Sequence, residues 1–347
     1  MNIEKLEAID KSKLSEEELK EYQKAGTEEI KNGKLAILTL AGGQGTRLGH
    51  PGPKGTFELI PNKSLFEILC DKLKDAKKTY GTTINWYIMT SRDNNKATKD
   101  FFEEHNYFNY PKEYITFFVQ HEVPMKTFDG KEFLDENGRV KFGANGHGDT
   151  FIALEETGML KDIESKGIEW VFVTPVENPL IELVDSVFVG IAKKNHLDII
   201  GKAVEKIDPL QKSGVFCLKD NKPSVIEYTE LSEDLAKKQD LDGKLFLRNA
   251  HINCNLFNIN TIEKVKGKEI PYHVNKKKAK FLDESGTVIN PDSPNAFKYE
   301  KYIFDYFPFV DNLGVYMVDR AEEYEPVKDS PVKAKAAYIK KYNIKNA

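Results

Sequence analysis

The sequence has little of what would place it in several large classes. It has only three cysteines in 347 residues, Cys70, Cys217 and Cys254. They are far apart, odd in number and without C-x-x-C spacing, which excludes a disulfide framework or a zinc ribbon and fits a reduced, cytoplasmic setting. No apolar run approaches the ~20 residues a membrane helix needs. The opening Met1-Asn2-Ile3-Glu4-Lys5 has no apolar stretch behind its charges, so a soluble, unexported chain is expected. An excess of one charge is missing as well: Lys+Arg 51 against Asp+Glu 55 leaves a net charge of −4. The basic residues are scattered, which argues against nucleic acid as a partner. Neither an internal repeat nor a low-complexity linker is present. A chain of this length can bury a sizeable core without staples, as one large α/β domain or two smaller ones.

Glycine, by contrast, is concentrated in one telling place. The apolar run Leu35 to Leu40 reads as a short buried strand, and it runs into Ala41-Gly42-Gly43-Gln44-Gly45-Thr46-Arg47-Leu48-Gly49, completed by Pro53-Lys54-Gly55. Gly42, Gly43 and Gly45 are expected to turn their amides inward at φ values other residues avoid, wrapping a polyphosphate. Arg47 offers a planar fork for phosphate oxygens and Lys54 a mobile point charge. A dinucleotide fingerprint should open directly into a helix, whereas this loop runs on through Pro51 and Pro53, and no G-x-x-x-x-G-K-[ST] occurs.

Around the loop, strands and helices alternate. Ser15 and Glu18 have capping-box spacing ahead of a charged, helix-prone stretch, with Gly26 and Gly33 as punctuation, and this reads as a helical arm outside the core. Ser64 and Glu67 repeat the signal before Leu65, Phe66, Leu69, Leu73 and Ala76, an apolar face at helical spacing. Strands are expected at Ile84 to Thr90, Ile115 to Val119, Glu169 to Thr174 and Asp198 to Ala203, and a helix from Asp185 to Lys194. Hairpins are expected at Asn137-Gly138 and Asp220-Asn221, and a short helix with a tail from Ala334 to Ala347. Such alternation predicts a mostly parallel sheet covered by helices, with ligands at the carboxyl ends of its strands.

The segment L-A-G-G-Q-G-T-R-L-G followed by P-K-G resembles the UDP-sugar pyrophosphorylases, which join UTP to a sugar 1-phosphate, and the resemblance spans roughly Lys34 to Lys328. It implies a Rossmann-like, mixed sheet of the GT-A-like nucleotidyltransferase type. It also implies that Ala41, Gly42, Gly43, Gln44, Gly45 and Thr46 hold the nucleotide, with Arg47 and Lys54 on its phosphates. Gln120, a loop residue on its own evidence, corresponds to a glutamine that contacts uracil. Gly146 and His147 fall in a second glycine-rich loop similar to the family's G-N-G-G segment, where His147 interrupts the pattern; read on residues alone, Asp149 there is a helix N-cap.

Further along, Val176-Glu177-Asn178 stands where the family has V-D-N with aspartate on Mg²⁺. Glu177 is one methylene longer, so it can bind the ion through a shifted backbone, through a water, or poorly. Asp305 is a second candidate ligand. Lys206, in V-E-K, and Lys328 are carried over as residues facing the phosphates. Gly214, Glu227, Tyr228, Asn249, Tyr302 and Phe304 are carried over to the sugar pocket, with His251 and Asn253 close rivals of Asn249. No partner for His251 as a catalytic base is legible.

The implied reaction is UTP plus N-acetylglucosamine 1-phosphate giving UDP-N-acetylglucosamine and pyrophosphate, with Mg²⁺. The alternatives are UDP-glucose pyrophosphorylase and a non-catalytic UDP-sugar-binding regulatory protein. The expected organisation is an N-terminal arm over residues 1–32, a catalytic domain over 33–307 and a flank over 308–347 that contributes Lys328. Oligomeric state is not encoded in any recognisable signal.

Overall fold

The strand Leu35–Leu40 pairs in parallel with Trp170–Pro175 on one side and Asn85–Thr90 on the other. Its residues alternate between two cores: Leu35 and Ile37 face one, Ala36, Leu38 and Leu40 the other. Burial on both faces is why the run reads as unbroken apolar sequence. In this computed structural model, which describes residues 2–283, 285–328 and 330–344, the strand lies within one sheet. The main path runs Ile9–Asp10, Leu313–Met317, Ile199–Glu205, Asn249–Asn258, Trp170–Pro175, Leu35–Leu40, Asn85–Thr90, Ile115–Val119. Every neighbouring pair is parallel except the two made by Asn249–Asn258, so the sheet is mixed and mostly parallel, as expected. Helices Glu16–Lys31, Leu65–Tyr80, Ser186–Lys194 and Val332–Tyr342 cover one face. Thr150–Glu156, Met159–Ser165, Ile259–Val265 and the 3₁₀ segment Ile303–Phe309 cover the other. The last residues of the expected C-terminal tail, 345–347, lie outside the described residues.

Local signals set the boundaries. Ser15 and Glu18 form both halves of their capping box, whereas Ser64 accepts from the Glu67 amide without the reciprocal bond. Asp220 and Asn221 take φ of 49° and 63°, the left-handed pair a two-residue hairpin turn requires.

The N-terminal segment is not an arm outside the core. Ile9–Asp10 adds a parallel edge strand beside Leu313–Met317, and Ile3–Lys5 pairs antiparallel with Val215–Lys219. Nor is 308–347 a separate flank, since Leu313–Met317 lies inside the sheet. Gly33 does end the first helix, at φ 72°, but Gly26 lies within it, packed against Ser186–Lys194. That contact is made by backbone rather than by large apolar side chains, so an apolar stripe could not announce it. A Cβ on Gly26 would lie 1.8 Å from the Ser186 carbonyl oxygen, and one on Gly190 1.8 Å from that of Tyr22.

A buried ion cluster ties the C-terminal segment to the sheet. Lys202, fully buried on Ile199–Glu205, donates to Asp185 at 2.9 Å and to Glu323 at 2.5 Å. Burial works against the ammonium charge, but Asp185 and Glu323 outweigh it and hold the Lys202 pKa above its ordinary value. Asp185 also caps the Ser186–Lys194 helix through the Phe188 amide. Removing one partner from such a cluster leaves the remaining charges unpaired in the interior.

Gly190→Ala is expected to destabilise the fold by ~1–3 kcal/mol, because the two helices cannot keep their spacing around an added methyl. Urea unfolding checks this, and a stability equal to that of the unmodified chain would show that the helices can part at no cost.

Candidate active site

The parallel strands deliver their carboxyl ends to one edge of the sheet. The Ala41 amide donates to Met89 O at 2.8 Å, Val176 to Leu40 O at 3.1 Å, and Gln120 to Thr90 O at 3.0 Å. The glycine loop, Gln120 and Glu177 are thereby brought together although they are distant in sequence.

The loop folds back on itself. Gly45 N donates to Gly52 O at 2.9 Å and Lys54 N to Gly43 O at 3.0 Å, while Thr46–Leu48 forms a 3₁₀ turn. Among the described residues no main-chain carbonyl outside regular elements takes up the amides of Gly42 and Gly43. The expected left-handed backbone at Gly42, Gly43 and Gly45 is not what the structure has: Gly49 alone in the loop has positive φ, 69°. The reason for glycine is close approach. A Cβ on Gly42 would lie 2.0 Å from Gln120 Nε2, and one on Gly45 2.8 Å from the His50 side chain, whereas Gly43 faces open space. Gln44, Thr46 and Arg47 are exposed at the loop's rim, and Ala41 is buried at its root.

Asn94, fully buried, was not signalled by any motif, yet its amide donates to Ala41 O at 2.9 Å and fixes the start of the loop. Gln120 is also buried, and its Oε1 has no hydrogen-bond partner. It is therefore not the solvated loop residue its neighbours suggest. A buried acceptor without a partner is costly unless a ligand supplies the donor.

Lys54 is buried and its ammonium pairs with the Glu177 carboxylate, so this pair joins the loop to the adjoining cleft. The cleft encloses about 230 Å³. His147, Glu177, Gly214, Glu227, Tyr228, Phe304 and Lys328 all line it, with Lys212, His251, Asn253 and Tyr324, which sequence motifs did not place there securely. Glu227 sits on a strand end, and burial together with the neighbouring Glu230 carboxylate raises its pKa.

Three expected residues stand elsewhere. Asn249 turns away from the cleft and donates to Leu6 O at 2.6 Å, and its rival Asn253 lines the cleft instead. The pairing of Ile199–Glu205 with Asn249–Asn258 shifts between Gly201 and Ala203, and Asn253 takes φ of 57° there; the irregularity re-aims it. Asn253 Oδ1 is buried and has no hydrogen-bond partner. Tyr302 backs the wall, stacked between His147 and His273 with ring centroids 5.2 and 4.2 Å away. Lys206 lines a neighbouring cavity with Glu205 and Lys244; its ammonium is buried without a hydrogen-bond partner, and burial lowers its pKa.

The second glycine loop is held by its neighbours: a Cβ on Gly146 would meet Lys301 O at 2.5 Å, and one on Gly148 Lys301 C at 2.6 Å. Asp149 makes no N-cap bond; its carboxylate takes the amide and ring of His121 instead. Nδ1 of His147 accepts the Ile303 amide at 3.0 Å, and burial brings its pKa down to about 4. His251 Nε2 meets Asn255 Oδ1 at 3.0 Å and burial lowers it to about 3, so both rings are neutral.

For a divalent cation, the carboxylates that line the cleft are Glu177, which meets the glycine loop through Lys54, and Glu227. Asp305 is engaged by His273 Nε2 at 2.8 Å. The other close carboxylate cluster among the described residues, Glu182, Asp185 and Glu323, is occupied by Lys202. One carboxylate suits Mg²⁺ when phosphate oxygens complete the shell.

The sequence profile described as UTP–glucose-1-phosphate uridylyltransferase matches residues 1–332. The chain belongs to this uridylyltransferase family. It is 38% identical over 339 residues to UDP-N-acetylglucosamine pyrophosphorylase of Saccharomyces cerevisiae, covering 92% of this chain and 71% of that one. It is 36% identical to the human UDP-N-acetylhexosamine pyrophosphorylase-like protein 1, covering 94% and 68%. Its fold matches a crystal structure from Entamoeba histolytica described as a UDP-N-acetylglucosamine pyrophosphorylase, with TM-score 0.90 at 30% identity, covering 98% of this chain and 88% of that chain. No helix among the described residues is long and apolar enough to cross a membrane.

Acidification supplies a test of the neutral cleft histidines. Folded His251 titrates near 3, while an unfolded histidine titrates near ~6.5, so below that pH the unfolded chain binds the extra proton and stability falls. This loss is on the order of 2 kcal/mol by pH 5. The Tm difference between the wild type and His251→Asn should therefore shift in the variant's favour between pH 8 and pH 5; a constant difference would show that His251 is not held neutral.

Proposed function

We propose that this chain transfers a uridylyl group from UTP to N-acetylglucosamine 1-phosphate, releasing pyrophosphate. The observation that carries the reading is the joining of two sites by one ion pair: a glycine loop beside a buried, unpartnered Gln120, and a cleft lined by Glu227, Asn253 and Lys328, with Lys54–Glu177 between them. The relatives named for N-acetylglucosamine and N-acetylhexosamine support the choice of sugar.

The chemistry needs no nucleophile from the protein. A phosphate oxygen of the sugar 1-phosphate attacks the α-phosphorus in line and pyrophosphate leaves, so the chain's work is positioning and neutralising charge. Amides of Gly42 and Gly43, with Arg47, hold the triphosphate, and Gln120 Oε1 accepts the uracil N3–H. Lys54, kept in place by Glu177, is poised to stabilise charge on the phosphates, and Lys328 lessens the repulsion between the two anions. Glu227 and Asn253 offer hydrogen bonds to sugar hydroxyls. Mg²⁺ held by Glu177 would add charge neutralisation on the phosphate oxygens.

Purified protein given UTP, Mg²⁺ and each sugar 1-phosphate in turn should release pyrophosphate fastest with N-acetylglucosamine 1-phosphate. Preference for glucose 1-phosphate would move the reading to the glucose enzyme, and tight UDP-sugar binding without turnover would make the chain a binding module. Glu177→Asp should alter the Mg²⁺ concentration needed for half-maximal rate; unchanged turnover and metal dependence would remove Glu177 as a ligand.

A further inference from the structure

Directly after Gln120 stands a contact that no motif signals. Asp149, 1% exposed, accepts from the His121 amide at 2.7 Å and faces His121 Nδ1 at 2.9 Å through one carboxylate oxygen. Its other oxygen accepts from Asn145 Nδ2 at 2.8 Å, and the Asn145 amide returns to His121 O at 2.9 Å. His121 Nε2 lies 2.8 Å from Glu156. With a carboxylate on each nitrogen, the imidazole donates on both sides and carries a charge that balances the buried Asp149. Burial opposes that charge, and Asp149 and Glu156 outweigh it, raising the His121 pKa.

We infer that His121 is a positioning residue: its clamp on Asp149 fixes the second glycine loop against the strand end that carries Gln120, and so sets the slot for the pyrimidine. This rests on the uridylyltransferase reading above. Gln120 has little freedom to compensate for a shift, because its amide lies over Gly42 and its Oε1 awaits a donor. Three hydrogen bonds join His121 to Asn145 and Asp149 across the two segments, and a fourth ties Asn145 to Asp149 within the loop, next to that amide. Loss of the clamp moves the base while leaving Glu227, Asn253 and Lys328, which other segments carry into the cleft, in place.

The test is steady-state kinetics with UTP and the sugar 1-phosphate, alongside Tm and calorimetric binding of UMP. His121→Ala should raise KM for UTP about tenfold, the size of one lost charge-assisted bond, with KM for the sugar 1-phosphate and kcat little changed. Asp149→Asn, which keeps the shape and removes the charge, should do the same, and the double variant should be no worse than either single one. UMP affinity should fall in step with the rise in KM. Equal shifts in both KM values together with a lowered Tm would reduce the clamp to general fold stability, and an unchanged KM for UTP in either folded variant would overturn it. A wild type that releases no pyrophosphate counts against the parent reading instead; UMP affinity in wild type and Asp149→Asn then still decides the clamp, equal affinities overturning it.

Discussion

The arrangement depends on parallel pairing at the centre of the sheet. Leu40 sits opposite Pro175 on one side and Met89 on the other, and Thr90 opposite Val119. Parallel strands in register end together, and where they end the backbone leaves the ladder free to meet a ligand. Ala41, Gln120 and Glu177 stand at one edge for that reason alone. A slip of one residue at any of these pairs would turn buried side chains to the wrong core and carry the site apart with them.

Buried cations divide into two kinds. Lys202 is held by Asp185 and Glu323, deep beneath the sheet edge, and its role is to join the C-terminal segment to the core. Through that segment Lys328 reaches the cleft, since Val327 N also donates to Glu177 O at 2.8 Å. Lys206, by contrast, is buried with no hydrogen-bond partner and a lowered pKa. A protein tolerates an unpaired buried ammonium poorly unless an anion arrives to meet it. Lys54 lies between these cases, paired with a single carboxylate at the mouth of the cleft.

The histidines show the same economy of environment. His147 and His251, against the cleft wall, are neutral because burial offers no nearby anion to hold a charge. His273 is raised by its hydrogen bond to Asp305, even as its ring stacks on Tyr302, whose other face meets His147. Two rings on one tyrosine therefore have their basicity shifted in opposite directions, and Asn275 adds a hydrogen bond to the Tyr302 hydroxyl at 3.1 Å.

Only the family resemblance gathered Glu227, Tyr228, Phe304 and Lys328; by itself the sequence determined the order of strands and helices, the capped starts at Ser15 and Ser64 and the glycine loop after Leu40. Each of these is written in local periodicity, in a cap, or in a short motif whose neighbours in the chain are also its neighbours in space. Tertiary structure alone decided the rest. It chose Asn253 over Asn249 through a register shift opposite Gly201, and made Gly42 necessary because Gln120 crosses it. It gave Asp149 to His121 rather than to its own helix, and drew Ile3–Lys5 and Ile9–Asp10 into the sheet. These outcomes turn on contacts between residues far apart along the chain, and a one-dimensional pattern holds no record of which distant group will arrive within hydrogen-bonding distance.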